Sequence, residues 1–411
     1  MNYIKTIICC LFALAICSSA SAQYSGLDLL DGDDKKEIKF EYVNGFTIVK
    51  VIYGGILYMD FLLDTGASHN ILFKKNANDL LGITYTDTII IGGADLDLEL
   101  RALVSRNVPI MLEGTKIILR DIIVLQEDYL DLEKLLGRRI DGIIGGDFLK
   151  GLVVDLNFKN KELTLHNPER FKPNKKFSSH DIDLINYKPY LKSITRIEDK
   201  VDTLNYLLDT GASLALLIHS NKIEGFQMPK NVIIGNLGKG LGGDISGFIG
   251  ITKNMKMDQY EFNNIISSFQ AIDSFILARR EIARDGIIGN VILSRFHVII
   301  DYVNEKLYLK PNTKLSKEFA FDKSGLLIYA LGSELDQYFV KTVYPNTPAE
   351  AAGVKPGDKI LKIGFWPIMF YDLQKITKLL QGKSGKTIKI KLLRNGEEIK
   401  VKFKLKNLFE E

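Results

Sequence analysis

The feature that most constrains this chain is that it contains its own copy. The stretch LLDTGAS occurs at 62–68 and again at 207–213. Upstream residues have diverged, as YMDFLLDTGAS (58–68) and TLNYLLDTGAS (203–213) show. Downstream, Asp141-Gly142-Ile143-Ile144-Gly145 is matched by Asp285-Gly286-Ile287-Ile288-Gly289, and VVDLNFKNKELTLHNP (153–168) by VIIDYVNEKLYLKPN (298–312). Three elements that recur in one order at nearly one spacing define a duplicated unit. Any fold for this chain must therefore build one lobe twice.

Each copy reads mostly as β. Residues 37–53 alternate around an Asn44-Gly45 turn, a hairpin signal, and the last repeated element is an apolar strand, an Asn-containing turn and a second strand. Short helices are expected near 130–136 and 260–270. The polar stretch 168–188, with Pro168 and Pro173 inside it and Pro189 just beyond, reads as a linker. The expected units are thus 23–167 and 189–315, followed by a third unit, 322–406, that repeats nothing before it.

An aspartate at the end of an apolar strand sits in low-dielectric surroundings. Burial raises a carboxyl pKa, and two carboxyls sharing a site cannot both ionise comfortably. Two such turns facing each other across a two-fold axis would hold one proton between Asp64 and Asp209. The ionised member can take a proton from water while the protonated one polarises a carbonyl. Gly66 and Gly211 permit a tight turn and close approach. Thr65 and Thr210 can bond across to the opposite loop, and Ser68 and Ser213 can tie the turns to nearby backbone. A single Asp-Thr-Gly is an ordinary turn; two copies that keep both acids while their surroundings diverge favour a working pair.

On these residues the chain resembles the aspartic peptidases of the pepsin and retropepsin type, over roughly 37–312. The resemblance implies a mainly β fold of two homologous retropepsin-like acid-protease lobes, with each Gly-Ile-Ile-Gly packed under its catalytic turn. It also implies a flap over the cleft, for which Gly92-Gly93 (about 86–104) and the glycine-rich stretch 233–250, with Gly240 and Gly242, are the candidates. A phosphate-cradling reading of that second stretch fails, because Gly238-Lys239 is followed by glycine and not by Ser or Thr. Pepsin-like lobes carry a serine after Asp-Thr-Gly; here Ala67 and Ala212 stand there, as in retroviral enzymes. Loss of that bond to the carboxylate should raise the pair's pKa values and give a pH optimum milder than a gastric enzyme's.

The third unit resembles a PDZ domain through Thr347-Pro348-Ala349-Glu350-Ala351-Ala352-Gly353-Val354-Lys355-Pro356-Gly357-Asp358-Lys359-Ile360 and through Gly325-Leu326-Leu327-Ile328. The latter corresponds to the loop that captures a peptide's C-terminal carboxylate. Such a unit either recruits a peptide or buttresses the second lobe.

The first 22 residues read as a secretory leader: Lys5, an apolar run from Ile7 to Ile16, and Ala20-Ser21-Ala22 before Gln23. A lipoprotein cut before Cys17 would place Ile16 where a small residue is wanted. The leader directs the chain to the periplasm or the exterior, and no later segment is apolar enough to span a membrane. Cys9, Cys10 and Cys17, all the cysteines, lie in that leader, so the mature chain has neither disulfide nor thiolate chemistry. The histidines (His69, His166, His180, His219, His297) are scattered without ligand spacing, and no metal or cofactor is expected. The formal charge of +4 leaves a small excess, and the C-terminal lysines interleave with apolar residues as a solvated strand face rather than a nucleic-acid groove. Two readings stay open: an endopeptidase acting on peptide or protein substrates with a PDZ unit for a C-terminal peptide, and a peptide-binding protein that grips without cutting.

Overall fold

The computed structural model describes residues 26–92, 99–240, 243–279 and 282–410. The expected leader lies outside these residues. Among the described residues no helix is long and apolar enough to cross a membrane.

The chain is mainly β: two lobes of one topology and a C-terminal unit with its own sheet and core. In the first lobe, strand Leu57–Leu63 runs parallel to Gly142–Ile144, with Leu62 opposite Ile143. In the second, Lys200–Leu208 runs parallel to Gly286–Ile288, with Leu207 opposite Ile287. A short strand, Ile71–Leu72 or Leu216–His219, then pairs antiparallel to the Gly-Ile-Ile strand on its other side. Apolar runs at both positions are thereby buried on both faces, as central strands require. The Asn44-Gly45 turn closes the expected hairpin with both residues at positive φ (48° and 89°).

The repeated terminal hairpins join the lobes. Val153–Asn157 pairs with Phe296–Asp301, placing Asp155 opposite Ile299, so one continuous sheet forms the floor under both lobes. Strand Ser178–Asp181 extends this floor through Lys306–Pro311, and Asp183–Ile185 pairs with the following strand. The stretch expected as a linker therefore carries two short strands.

One expected helix is present, at Leu132–Leu136. The other is corrected: Tyr260–Gln270 is a strand, paired along its length with Gly243–Met257. Its inward residues Tyr260, Phe262 and Ile265 are aromatic or β-branched and fill a sheet core, which overrides a weak helical pattern.

In the C-terminal unit, Thr387–Arg394 and Glu397–Lys404 form a hairpin whose Ile388, Ile390, Val401 and Phe403 are buried while Lys389, Lys400, Lys402 and Lys404 face solvent. Helix Leu373–Leu380 is capped by Asp372, which accepts from Lys375 N at 2.7 Å, and lays Leu373, Ile376 and Leu380 on the sheet.

Candidate active site

Each aspartate is set by the element beneath it. Asp64 N donates to Ile144 O and Asp209 N to Ile288 O, both at 3.0 Å. Asp141 and Asp285 hold the same strands further back, their carboxylates accepting from Asp60 N at 3.0 Å and Asn205 N at 2.9 Å. Gly145 and Gly289 share one backbone conformation (φ −99°, ψ −175°). A side chain at Gly289 would meet Ala212 O at 2.7 Å, inside the turn it supports.

The two turns lock reciprocally. Thr65 Oγ1 donates to Leu208 O at 2.7 Å and accepts from Thr210 N at 3.1 Å; Thr210 Oγ1 donates to Leu63 O at 2.7 Å and accepts from Thr65 N at 3.1 Å. Both threonines are buried, so these four bonds satisfy groups that would otherwise be orphaned. A Cβ on Gly66 would lie 2.5 Å from Asp209 Cγ, and one on Gly211 closer still to Asp64 Cγ. Each carboxyl rests on the opposite turn's glycine.

The two carboxyls face each other across the locked turns and are coupled in their titration. Asp64 Oδ1 also accepts from Gly66 N (2.7 Å) and Ala67 N (3.1 Å), and Asp209 Oδ1 from Gly211 N (2.7 Å). Burial, reinforced by the Asp209 charge, holds Asp64 well above the usual carboxylate range. Burial raises Asp209 as well, but the neighbouring Asp64 carboxyl, the Gly211 amide and the Arg284 guanidinium oppose it. Both carboxyls are thus held above the usual range, and they titrate as one unit that can share a single proton.

A cavity of about 860 Å³ surrounds the pair. Ser68 and Ser213 line it; the tie at Ser68 runs through its carbonyl, which accepts from Asp147 N at 3.0 Å. Gly92 ends strand Asp87–Gly92 and pairs with Glu99, while Gly240 ends Ile233–Gly240 and pairs with Gly243. These are the ends of paired strands; Gly93 and Gly242 lie outside the described residues. Ile91, Gly92, Leu237 and Ile245 line the cavity.

The C-terminal unit closes a third side. Leu326, Leu327 and Ile328 line the same cavity, as do Leu373 and Leu380 from the facing helix. At Gly325 and Leu326 the backbone amides are already engaged: Asp322 Oδ1 accepts from Gly325 N at 2.6 Å and Leu326 N at 3.2 Å, and also from Ser324 N at 2.9 Å. Burial pushes the Asp322 carboxyl up to about 6. Further along the groove, Gly137, at the end of helix Leu132–Leu136, is inserted from the first lobe. A Cβ there would lie 3.2 Å from Leu373 Cβ and 3.6 Å from Ala330 Cβ.

Sequence reasoning missed Arg284 and Lys188, two cations that line the cavity beside the aspartates. The signal was present: both stand where the first copy has apolar residues. His69 is exposed, 3.3 Å from Asp147, and His219 is fully buried. Among the described residues no cluster of metal-ligating side chains occurs.

Residues 339–394 match the PDZ-domain family model. A 93-residue stretch is 30% identical to a "Probable CtpA-like serine protease" of Staphylococcus haemolyticus (strain JCSC1435), covering 22% of this chain. This chain spans only 18% of that relative. Among solved structures, an aspartic proteinase from Irpex lacteus aligns over 69% of this chain and 99% of its own, with 14% identity and a TM-score of 0.40. Basic 7S globulin from soybean aligns over 70% and 99%, with 8% identity and the same TM-score of 0.40.

Proposed function

We propose that this chain is an aspartic-type endopeptidase with two retropepsin-like lobes, secreted or periplasmic, in which Asp64 and Asp209 activate a water between them. The observation that carries the reading is the facing pair of buried carboxyls, held in reciprocally locked turns and open to one large cleft. The ionised member of the pair takes a proton from the water as it attacks the peptide carbonyl. The proton on the other member moves toward the carbonyl oxygen and later reaches the leaving amine. Burial supplies the low dielectric in which these transfers are favoured.

A serine mechanism, suggested by the relative's name, finds less support. Ser178 Oγ lies 2.8 Å from His180 Nε2, and His180 Nδ1 lies 3.8 Å from Asp258. None of the three lines the cleft, and Ser178 is also bonded to Leu309 O at 3.1 Å on the floor sheet.

For the PDZ unit, the engaged amides at Gly325 and Leu326 and the inserted Gly137 favour a structural wall of the cleft over an open receptor for a peptide C-terminus. Digestion of unfolded casein by the mature chain across pH, with and without pepstatin, tests the whole reading. Cleavage with a mildly acidic optimum supports it; absence of cleavage at every pH favours the peptide-gripping alternative.

A further inference from the structure

The lysine-rich hairpin of the C-terminal unit contributes no residue to the cleft. Between Lys359 and Lys406 the sequence carries 13 lysines and arginines against three acids, in a chain whose formal charge is only +4. Positive charge is thus concentrated in one unit, and the fold concentrates it further on one face. Across the sheet, Pro367 lies opposite Lys362, Lys362 opposite Lys391, and Lys391 opposite Lys400. In the neighbouring rows Lys389 is opposite Lys402, and Lys404 is opposite Thr387. Strand side chains alternate, so Lys362, Lys389, Lys391, Lys400, Lys402 and Lys404 share the outer face, while Ile388, Ile390, Val401 and Phe403 enter the core. Lys391 is paired with Glu398 at 2.6 Å. Among the described residues no carboxylate lies within ion-pair distance of the other five ammonium groups.

An apolar tip stands at one edge of this face. Gly364, at φ 61°, turns the chain out of strand Lys359–Ile363, and its amide donates to Lys389 O at 2.8 Å, which joins the tip to the lysine rows. Phe365, Trp366, Met369 and Phe370 follow, 87%, 61%, 79% and 57% exposed. The segment that carries them is anchored: Ile368 and Tyr371 pack on the core, and Tyr371 OH donates to Ile363 O at 3.2 Å. Trp366 and Phe370 meet edge to face, their ring centroids 5.7 Å apart. Single exposed apolar residues are ordinary, but four large ones within six positions mark a binding surface. Exposure this high means that the side chains project rather than line a groove. An acidic protein or a nucleic acid would meet the lysines yet leave Phe365 and Met369 in water. A projecting apolar wedge beside unpaired lysines is complementary to a layer that is apolar within and anionic at its surface.

We propose that the C-terminal unit docks on an anionic phospholipid surface, inserting Phe365, Trp366, Met369 and Phe370 at the acyl boundary while Lys389, Lys400, Lys402 and Lys404 lie against the headgroups. The rings and the thioether leave water for hydrocarbon, and the lysine stems reach the phosphates from the sheet beside them. The surface is separate from the aspartate cleft, so the inference stands or falls independently of the peptidase reading.

Trp366 is the single tryptophan of the chain, so intrinsic fluorescence of the full mature protein reports on the tip alone. The protein is titrated with vesicles of equimolar phosphatidylcholine and phosphatidylglycerol, and with vesicles of phosphatidylcholine only, at about 0.1 M salt. Co-sedimentation with the anionic vesicles and a blue shift of the Trp366 emission are expected, with binding to the neutral vesicles at least about tenfold weaker. Lys389→Glu with Lys402→Glu should weaken binding to the anionic vesicles by at least about tenfold, since each lysine near such a surface contributes roughly a factor of five. Phe365→Ser with Met369→Ser should weaken binding to both kinds of vesicle and reduce the blue shift. All four positions are exposed, and melting confirms that each variant is folded. Absence of binding to the anionic vesicles overturns the proposal. So does sedimentation without a blue shift that Phe365→Ser with Met369→Ser leaves unchanged, because the tip then stays in water. Tighter binding to double-stranded DNA or to polyglutamate than to the anionic vesicles also overturns it and assigns the face to that partner.

Discussion

Gly66→Ala is the sharpest perturbation, because it adds one methyl group between the two turns and removes nothing. The new Cβ would lie 2.5 Å from Asp209 Cγ and 2.9 Å from Asp209 Oδ1. Non-bonded carbon atoms settle at about 3.5–4.0 Å, so the carboxyl or the turn must retreat by roughly 1 Å. Relief through the backbone is opposed by the Thr65 and Thr210 bonds, which fix both turns. Overpacking of this kind costs about 1–3 kcal/mol of stability, too little to unfold most domains. A misplacement of about 1 Å in a catalytic group costs on the order of 10²-fold in rate. The assay is initial-rate cleavage of a quenched peptide, alongside thermal melting. The variant should melt cooperatively within a few degrees of wild type and lose about 10²-fold in kcat/KM. A folded Gly66→Ala chain that cleaves within about threefold of wild type would refute the close apposition of the turns.

Other outcomes follow from the same geometry. Asp64→Asn and Asp209→Asn each remove a buried carboxyl whose pKa is raised in the fold; a raised acid stabilises the fold only while protonated, so wild type loses stability as pH climbs above about 4, the unfolded value. Both variants should therefore melt above wild type at pH 7, with the difference vanishing below pH 4, as pH-resolved calorimetry would show. Thr65→Val leaves the buried Leu208 O and Thr210 N without their partner and should cost about 1–3 kcal/mol in chemical denaturation; Thr65→Ser, which keeps the hydroxyl, should cost much less. Gly137→Arg places a long side chain in the groove at Leu373 and Ala330 and should release the C-terminal unit, seen as a larger radius of gyration by solution scattering. With Ala67 and Ala212 offering the carboxyls no hydroxyl, cleavage should peak at mild acidity; a profile peaking below pH 3 contradicts the raised pair.

Duplication made most of the fold legible, because each repeated word had to take the same place twice. The hairpin at Asn44-Gly45, the strands under both turns and the paired terminal hairpins all answer to local pattern. Tyr260–Gln270 did not, since its partner strand lies outside any local window and pairing settled the matter. The work of the histidines was invisible in the sequence: Asp155 pairs with His297 and lies 3.6 Å from His166, on strands from both lobes. Within the site, the aspartates and their threonines and glycines were readable from chemistry alone. Arg284 and Lys188 were hidden because attention to what the copies share obscures where they differ. Asp322 and Gly137 depend on how the third unit seats on the lobes, which no motif records.

The central claim is that Asp64 and Asp209 work as one unit. It is tested most directly by peptide cleavage rates for wild type, Asp64→Asn, Asp209→Asn and the double variant, each confirmed folded by melting. Both single variants should lose at least about 10³-fold in kcat, and the double should lose little more than either, as members of one catalytic unit do. Substantial cleavage by either folded single variant, or multiplicative losses in the double, would contradict it.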